Sequence, residues 1–341
     1  MSSPPPIDIH VHLVGNGTGH TGCELHPRGW RQPLDMLMLK CMGLPLSALK
    51  GDLDRLYRER LLQLVRESSL AAAVILPHER AYDEQGRVIK NHTPLYVPND
   101  YALKLGRKHP EFLPAVSIHP ARPDAMEELE RCLEGGAVLY KCLPNSQNID
   151  CNNRRYTRFW ERVAEAGLPM LAHTAGEHTV PVIRPDLGNP RVLERPLQCG
   201  VTVIAAHAAT KSGLFDPDYF HFLVEMMNRH PRLYADISAF NIPIRGQHIP
   251  ECLRGSLSER LVHGSDFPVP IFGHWSWARG LVDWKSFRRW EQHPNPLERD
   301  YQLKRAMGFP DAVFNRIHSI LRKSACESNR QQRTSHASIE N

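Results

Sequence analysis

Six side chains in this 341-residue sequence have the types and neighbours that suit metal-assisted chemistry. They are His10 and His12 in IDIHVH, Lys141 in LYKC, His173 in MLAH, His207 in VIAAH and Asp266 in HGSD. Neutral imidazoles and carboxylates are natural ligands of divalent ions, Zn2+ first, with Mn2+, Fe2+ and Co2+ also suited. Singly, each residue is ordinary. An HxH arises by chance in a chain with 19 histidines. A strand-end Asp or His usually caps a helix or is a satisfied core group, and a lone lysine usually snorkels to the surface. Jointly, four histidines, a lysine and an aspartate buried at one place would be costly without a compensating ion.

The elements that must bring them together are short apolar runs at 7–12, 72–76, 113–119, 137–142, 169–173, 201–207, 233–238 and 260–265. Amphipathic stretches at 53–68, 99–109, 124–134, 156–166, 190–199 and 217–230 separate them, and a weaker one at 245–259 carries Pro250 and two glycines. Strand–helix alternation predicts a parallel sheet, and eight repeats predict an α/β fold, the (β/α)8 TIM barrel. A doubly wound sheet is the alternative. The six residues fall at C-terminal strand ends, where barrel enzymes build their sites. Strand period 2 points His10 and His12 to one side. Two connections are long, 13–51 and 77–98, and the Leu/Met-rich run 34–46 reads as a helical cap. After the eighth strand, 270–296 carries Trp275, Trp277, Trp284 and Trp290, and 297–321 reads as closing helices. Residues 1–321 therefore form one expected domain, and the polar segment 322–341 an expected disordered tail.

Composition narrows the class. No run approaches the 18 apolar residues of a membrane span, and the start MSSPPPIDIH lacks the basic and apolar regions of a secretory signal. The net charge is +5, with 12 Lys and Arg against 6 Asp and Glu in 279–333. A solvated helical face and basic tail account for that excess, and neither a basic stripe nor a nucleic-acid module is visible. Eight scattered cysteines, none in CxxC spacing, read as reduced thiols. A cytoplasmic enzyme with a small-molecule substrate, bound to neither nucleic acid nor membrane, is expected. A homodimer is the commonest assembly of such enzymes.

The segments IDIHVH, LYKCLPNSQ, GLPMLAHT, GVTVIAAH and LVHGSDFPVP, spread over 7–270, resemble the amidohydrolase superfamily. The likeness is greatest to its amidohydrolase-related (amidohydrolase 2) branch of metal-dependent hydrolases, which also includes decarboxylases, lactonases and hydratases. The HxH and the GSDFP are the most specific elements. The resemblance implies roles. In members with one metal, His10, His12, His173 and Asp266 would hold it, and His207 would orient water or substrate beside it. In members with two, Lys141 occupies the place of an N-carboxylated bridging lysine. The first ion then has His10, His12 and Asp266, and the second has His173 and His207. A carbamate bridge, an ammonium for a substrate anion and a structural lysine all remain open for Lys141.

The mechanism implied is hydrolysis. A bound ion lowers the pKa of water toward 7 and polarises a carbonyl. Asp266 would take the proton of the nucleophile and return it to the leaving group. The expected function is a metal-dependent hydrolase that cleaves a C–N or C–O bond of a small carbonyl compound, with Asp266 and His207 as catalytic residues. The alternative is a metal-dependent decarboxylase or hydratase acting on an aromatic or unsaturated carboxylic acid, held by the Trp- and Arg-bearing loops. A binding protein on the same scaffold would be expected to have lost ligands, and all are intact. Substrate choice is expected from 13–51, 77–98 and 270–296. Asp8 is a candidate to orient His10, because strict alternation gives both the same facing. Asn145, Ser146, Gln147, Glu177, His178, His119 and Lys211 are secondary candidates with structural alternatives, and Cys142 should face a helix.

Overall fold

The computed structural model describes residues 4–26 and 32–323. Eight parallel strands follow chain order around one sheet: β1 Ile7–His12, β2 Ala72–Leu76, β3 Phe112–Val116, β4 Leu139–Cys142, β5 Met170–Ala172, β6 Val203–Ala205, β7 Leu233–Asp236 and β8 Leu261–Val262. The sheet closes on itself. Ile9 N–H donates to His263 O (3.2 Å), Asp266 N–H to His10 O (2.9 Å) and His12 N–H to Phe267 O (2.9 Å). This is the (β/α)8 barrel, and closure removes the doubly wound alternative. The helices Leu53–Arg66, Asn99–Lys108, Ala125–Glu134, Thr157–Glu165 and Phe220–Arg229 follow the pattern of the sequence. Asp52 starts the first of them by accepting the Arg55 N–H. The 245–259 interval breaks into short turns, Arg245–His248, Ile249–Cys252 and Gly255–Arg260, as Pro250 and the glycines imply.

Alternation sorts the core into two layers. Val74, Leu139, Leu171, Ile204 and Val262 fill the barrel. Tyr140, Cys142, Met170, Val203 and Ala205 pack outward with the helices. Cys142 thus faces away from the site, and Lys141, beside it, faces in. β1 carries one extra residue against β2 between Asp8 and Val11. This bulge reverses the alternation. Ile7 and Ile9 belong to the inner layer, whereas Val11 belongs to the outer one. His10 and His12 therefore face inward together, but Asp8 falls out of phase with them.

The strand ends are shorter than the apolar runs. β8 stops at Val262, and Asp266 lies at φ 70°; β6 stops at Ala205, and His207 lies at φ 58°. The ligand-type residues leave the ladder to turn into the barrel mouth. The cap helix is Gln32–Met42, which starts two residues before its Leu/Met run and ends four residues before the end of it. A two-stranded ribbon, Glu24–Leu25 with Leu95–Tyr96, ties the two long connections together. Two-residue strands leave no periodic signal, so the ribbon is invisible in the sequence. The seven cysteines at described positions are free. Cys326 and positions 324–341 of the expected tail lie outside the described residues. No helix among the described residues is long and apolar enough to cross a membrane.

Candidate metal centre

Three of the ligand-type residues, His10, His12 and Asp266, converge on one point. His10 Nε2 and His12 Nε2 each lie 3.2 Å from Asp266 Oδ1. Lys141 Nζ lies 3.1 Å from His10 Nε2. The His10 ring stacks 5.2 Å from that of His207, and His207 lies 5.2 Å edge-on from His173. All six expected residues thus gather at the mouth. His12, Lys141, His173, His207 and Asp266 line a cavity of about 440 Å3, and His10 lies beneath its floor.

Protonation decides what this cluster can hold. His10 Nδ1–H donates to Asp236 Oδ2 at 2.7 Å. Burial, helped by the Lys141 charge, pushes the His10 imidazole down to about 4, so it is neutral near pH 7. Its Nε2 lone pair then faces a carboxylate oxygen with no proton between them. Burial opposes ionisation of Asp266, but its neighbours, among them the His12 hydrogen bond and the Arg245 guanidinium, hold the carboxyl below the usual range. Two acceptors at 3.2 Å repel unless a cation joins them, so the donor set fits a divalent ion. Burial also lowers the Lys141 pKa, which favours the neutral amine that carboxylation requires.

His207 is oriented in the same way. The Ser238 hydroxyl donates to Asp236 Oδ1, so it accepts from His207 Nδ1–H at 2.7 Å. His207 keeps Nε2 as its acceptor nitrogen. Burial pushes the His207 imidazole well below its ordinary value, and burial pushes His173 down to about 4. Glu177 Oε2 lies 3.5 Å from His173 Nδ1, which gives Glu177 the pocket role rather than the surface one.

Two residues that the sequence did not single out organise the site. Asp236, at the end of β7, accepts from His10 Nδ1, the His207 N–H (2.6 Å) and the Ser238 N–H (3.1 Å). The seventh strand ends LYAD, with an ionisable residue like those of its neighbours, and that was the available signal. Arg245 is buried on the cavity wall, donating to Thr210 O and Gly176 O at 3.0 Å each. It starts the weakest helical interval, where no pattern marked it. Asp236→Ala should lower metal affinity roughly 10- to 100-fold, since it frees His10 and orphans two amides. Competition with a chromogenic chelator measures this, and wild-type affinity would mean that His10 is held by other contacts.

Several secondary candidates are structural. Asp8 Oδ1 accepts from the His10 and Ser265 amides at 3.0 and 2.9 Å, so it clamps β1 to the segment after β8 and does not touch an imidazole. The bulge is the reason. His119 donates Nε2–H to Gln147 O (2.9 Å) and accepts at Nδ1 from the Ala121 amide. Asn145 and Gln147 bond to backbone of neighbouring segments. These residues, Ser146 and Lys211 do not line the cavity. His178 does, and it pairs with Asp216 at 2.8 Å. The tryptophans depart from the aromatic-acid expectation. Trp277 and Trp284 pack on Phe287 at the surface, 42% and 53% exposed, and of the 270–296 segment only Pro270 and Phe272 reach the cavity.

A closed (β/α)8 barrel with a His/Asp/Lys cluster that could hold a metal ion at its C-terminal end defines the class. The chain belongs to the amidohydrolase family, whose model matches residues 7–284. An uncharacterized TIM-barrel protein from Bordetella bronchiseptica shares the fold at TM-score 0.56 and 17% identity, over 88% of this chain and 99% of that one. An amidohydrolase from Mycobacterium avium subsp. paratuberculosis aligns at TM-score 0.49 and 15% identity, over 92% and 96% of the two chains. A putative 2-pyrone-4,6-dicarboxylic acid hydrolase from Pseudomonas putida aligns at 0.47 and 17%, over 77% and 83%. No curated protein matches the chain.

Proposed function

We propose that the protein is a metal-dependent hydrolase that cleaves a C–N or C–O bond of a carbonyl compound, a small molecule of the cytoplasm. The observation that carries this reading is the placement of Lys141 Nζ, 3.1 Å from the nitrogen that His10 presents to Asp266. His10, His12 and Asp266 would hold one divalent ion, and Lys141, as a carbamate, would join it to a second on His173 and His207. Ions so held supply Lewis-acid polarisation of the carbonyl and an acidified water.

The chain's own groups do the rest. Asp266, ionised and at the cavity floor, accepts the proton of the attacking water and returns it to the leaving nitrogen or oxygen. With one ion bound instead of two, His207 would turn its free Nε2 to water or substrate. Asp236 keeps both His10 and His207 in the tautomer that leaves Nε2 free. The cap helix and the ribbon cover the mouth and limit bulk water at the floor.

Metal content per chain, for wild type and Lys141→Ala, tests the reading. Two equivalents falling to one or fewer are expected. One equivalent in both proteins would remove the carbamate bridge and favour the decarboxylase or hydratase alternative, with Arg245 as the anchor for a substrate carboxylate. No metal, and none taken up on addition, would overturn both.

A further inference from the structure

The cavity is polar at one end and apolar at the other. Its floor carries the metal-centre residues with Arg245, and among the described lining residues the lysine and arginine side chains, Lys141 and Arg245, are both buried there. Most of the remaining wall is hydrocarbon, contributed by segments apart in sequence, with His78, Asn91, His178, Thr179 and Ser212 among its polar members. Leu25 comes from the ribbon and Met38 from the cap helix. Val180 follows β5, Ile242 follows β7 and Val269 follows β8. At the rim, Leu37 is 40% and Phe272 37% exposed. Side chains packed as core leave few voids larger than a water molecule. Here side chains from four connections help enclose about 440 Å3, within the roughly 300–1,000 Å3 of clefts that bury a drug-sized ligand.

An apolar chamber of that size, opening onto solvent through exposed Leu and Phe, is not needed to position a metal. It has a use if the substrate brings hydrocarbon of its own, because burying that surface releases water from both partners. We infer that the substrate is amphipathic: an ester, lactone or amide whose carbonyl sits at the metal centre and whose acyl or aryl body fills the chamber under the cap helix. This deepens the hydrolase reading and rests on it for the reacting group, but the apolar recognition stands on the cavity alone. The long first connection then sets specificity through Leu25, Leu37 and Met38 rather than through a charged contact.

The test uses two homologous series on the Zn2+-supplemented full-length protein. Straight-chain carboxylic acids from four to eight carbons are titrated by calorimetry, and the corresponding p-nitrophenyl esters are assayed for hydrolysis. Affinity should rise roughly fourfold per added methylene, and kcat/KM should rise in parallel. Met38→Gln and Ile242→Asn should each flatten the slope to about twofold or less. A flat series in the wild-type protein, or no binding of any member, would overturn the amphipathic substrate. Rising affinity without ester hydrolysis would retain the chamber and sink the hydrolase reading. Hydrolysis indifferent to chain length would do the reverse.

Discussion

Asp266→Asn should lower kcat for any ester or amide that the protein turns over by about 10^3-fold or more. A positioned general acid–base group contributes roughly 10^2- to 10^4-fold, and this carboxylate is also the oxygen that both His10 and His12 face at 3.2 Å. Asparagine keeps the shape of the side chain and removes its charge and basicity. The Asp266 amide bond to His10 O does not depend on the side chain, so the turn at φ 70° should persist. Circular dichroism and the unfolding midpoint should therefore stay near wild type, while initial rates collapse. A variant retaining more than a tenth of the wild-type rate would remove Asp266 from the chemistry and leave it only a structural place in the cluster.

Lys304→Met should cost about 3–5 kcal/mol of stability, the usual consequence of removing one partner of a buried ion pair. Lys304 and Asp300 are both fully buried, 2.6 Å apart on one helix, Pro296–Ala306. Lys304 also donates to Gly264 O at 2.7 Å, two residues before Asp266, and Asn241 donates to Asp300 Oδ1 at 2.7 Å. Losing the ammonium leaves a buried carboxylate facing one amide. Burial already raises the Asp300 pKa, against the pull of Lys304. An acid whose folded pKa is raised destabilises the fold increasingly as pH climbs from its unfolded value through its folded one. The deficit of the variant should accordingly grow between pH 5 and pH 8. Urea unfolding at the two pH values measures both effects. In Lys304→Met/Asp300→Leu, where neither charge remains, most of the loss should be recovered. A single variant within about 1 kcal/mol of wild type would show that Asp300 is neutral in the native protein and that Lys304 is held mainly by Gly264 O.

The two stability and rate effects meet at one segment. Gly264 to Asp266 is anchored on one side by Lys304 and on the other by Asp8, which bonds the Ser265 amide. The geometry of the His/Asp cluster therefore depends on groups outside it. A loss of metal affinity in Lys304→Met beyond its loss of stability would be the signature of that dependence.

Local pattern by itself determined the barrel. The strands are buried on both faces, so each reads as a short apolar run, and the ionisable residue that interrupts each run marks the rim. His10, His12, Lys141, His173, His207 and Asp266 were legible for that reason, as was the outward facing of Cys142. What crosses between strands was decided only by the tertiary structure. Asp236 could be assigned to His10 and His207 only after β7 was set beside β6 and near β1, because those two partners lie 226 and 29 residues away in sequence. Arg245 was hidden in a segment without periodicity, and its direction is fixed by two carbonyls on other loops. The facing of Asp8 turned on a single extra residue in β1, which strict alternation cannot foresee, because a bulge is a property of the pairing between two strands and not of either one. The apolar chamber has the same origin: Leu25, Met38, Val180, Ile242 and Val269 are unremarkable in their own segments, and become one wall because barrel closure brings their four connections to the same end of the molecule.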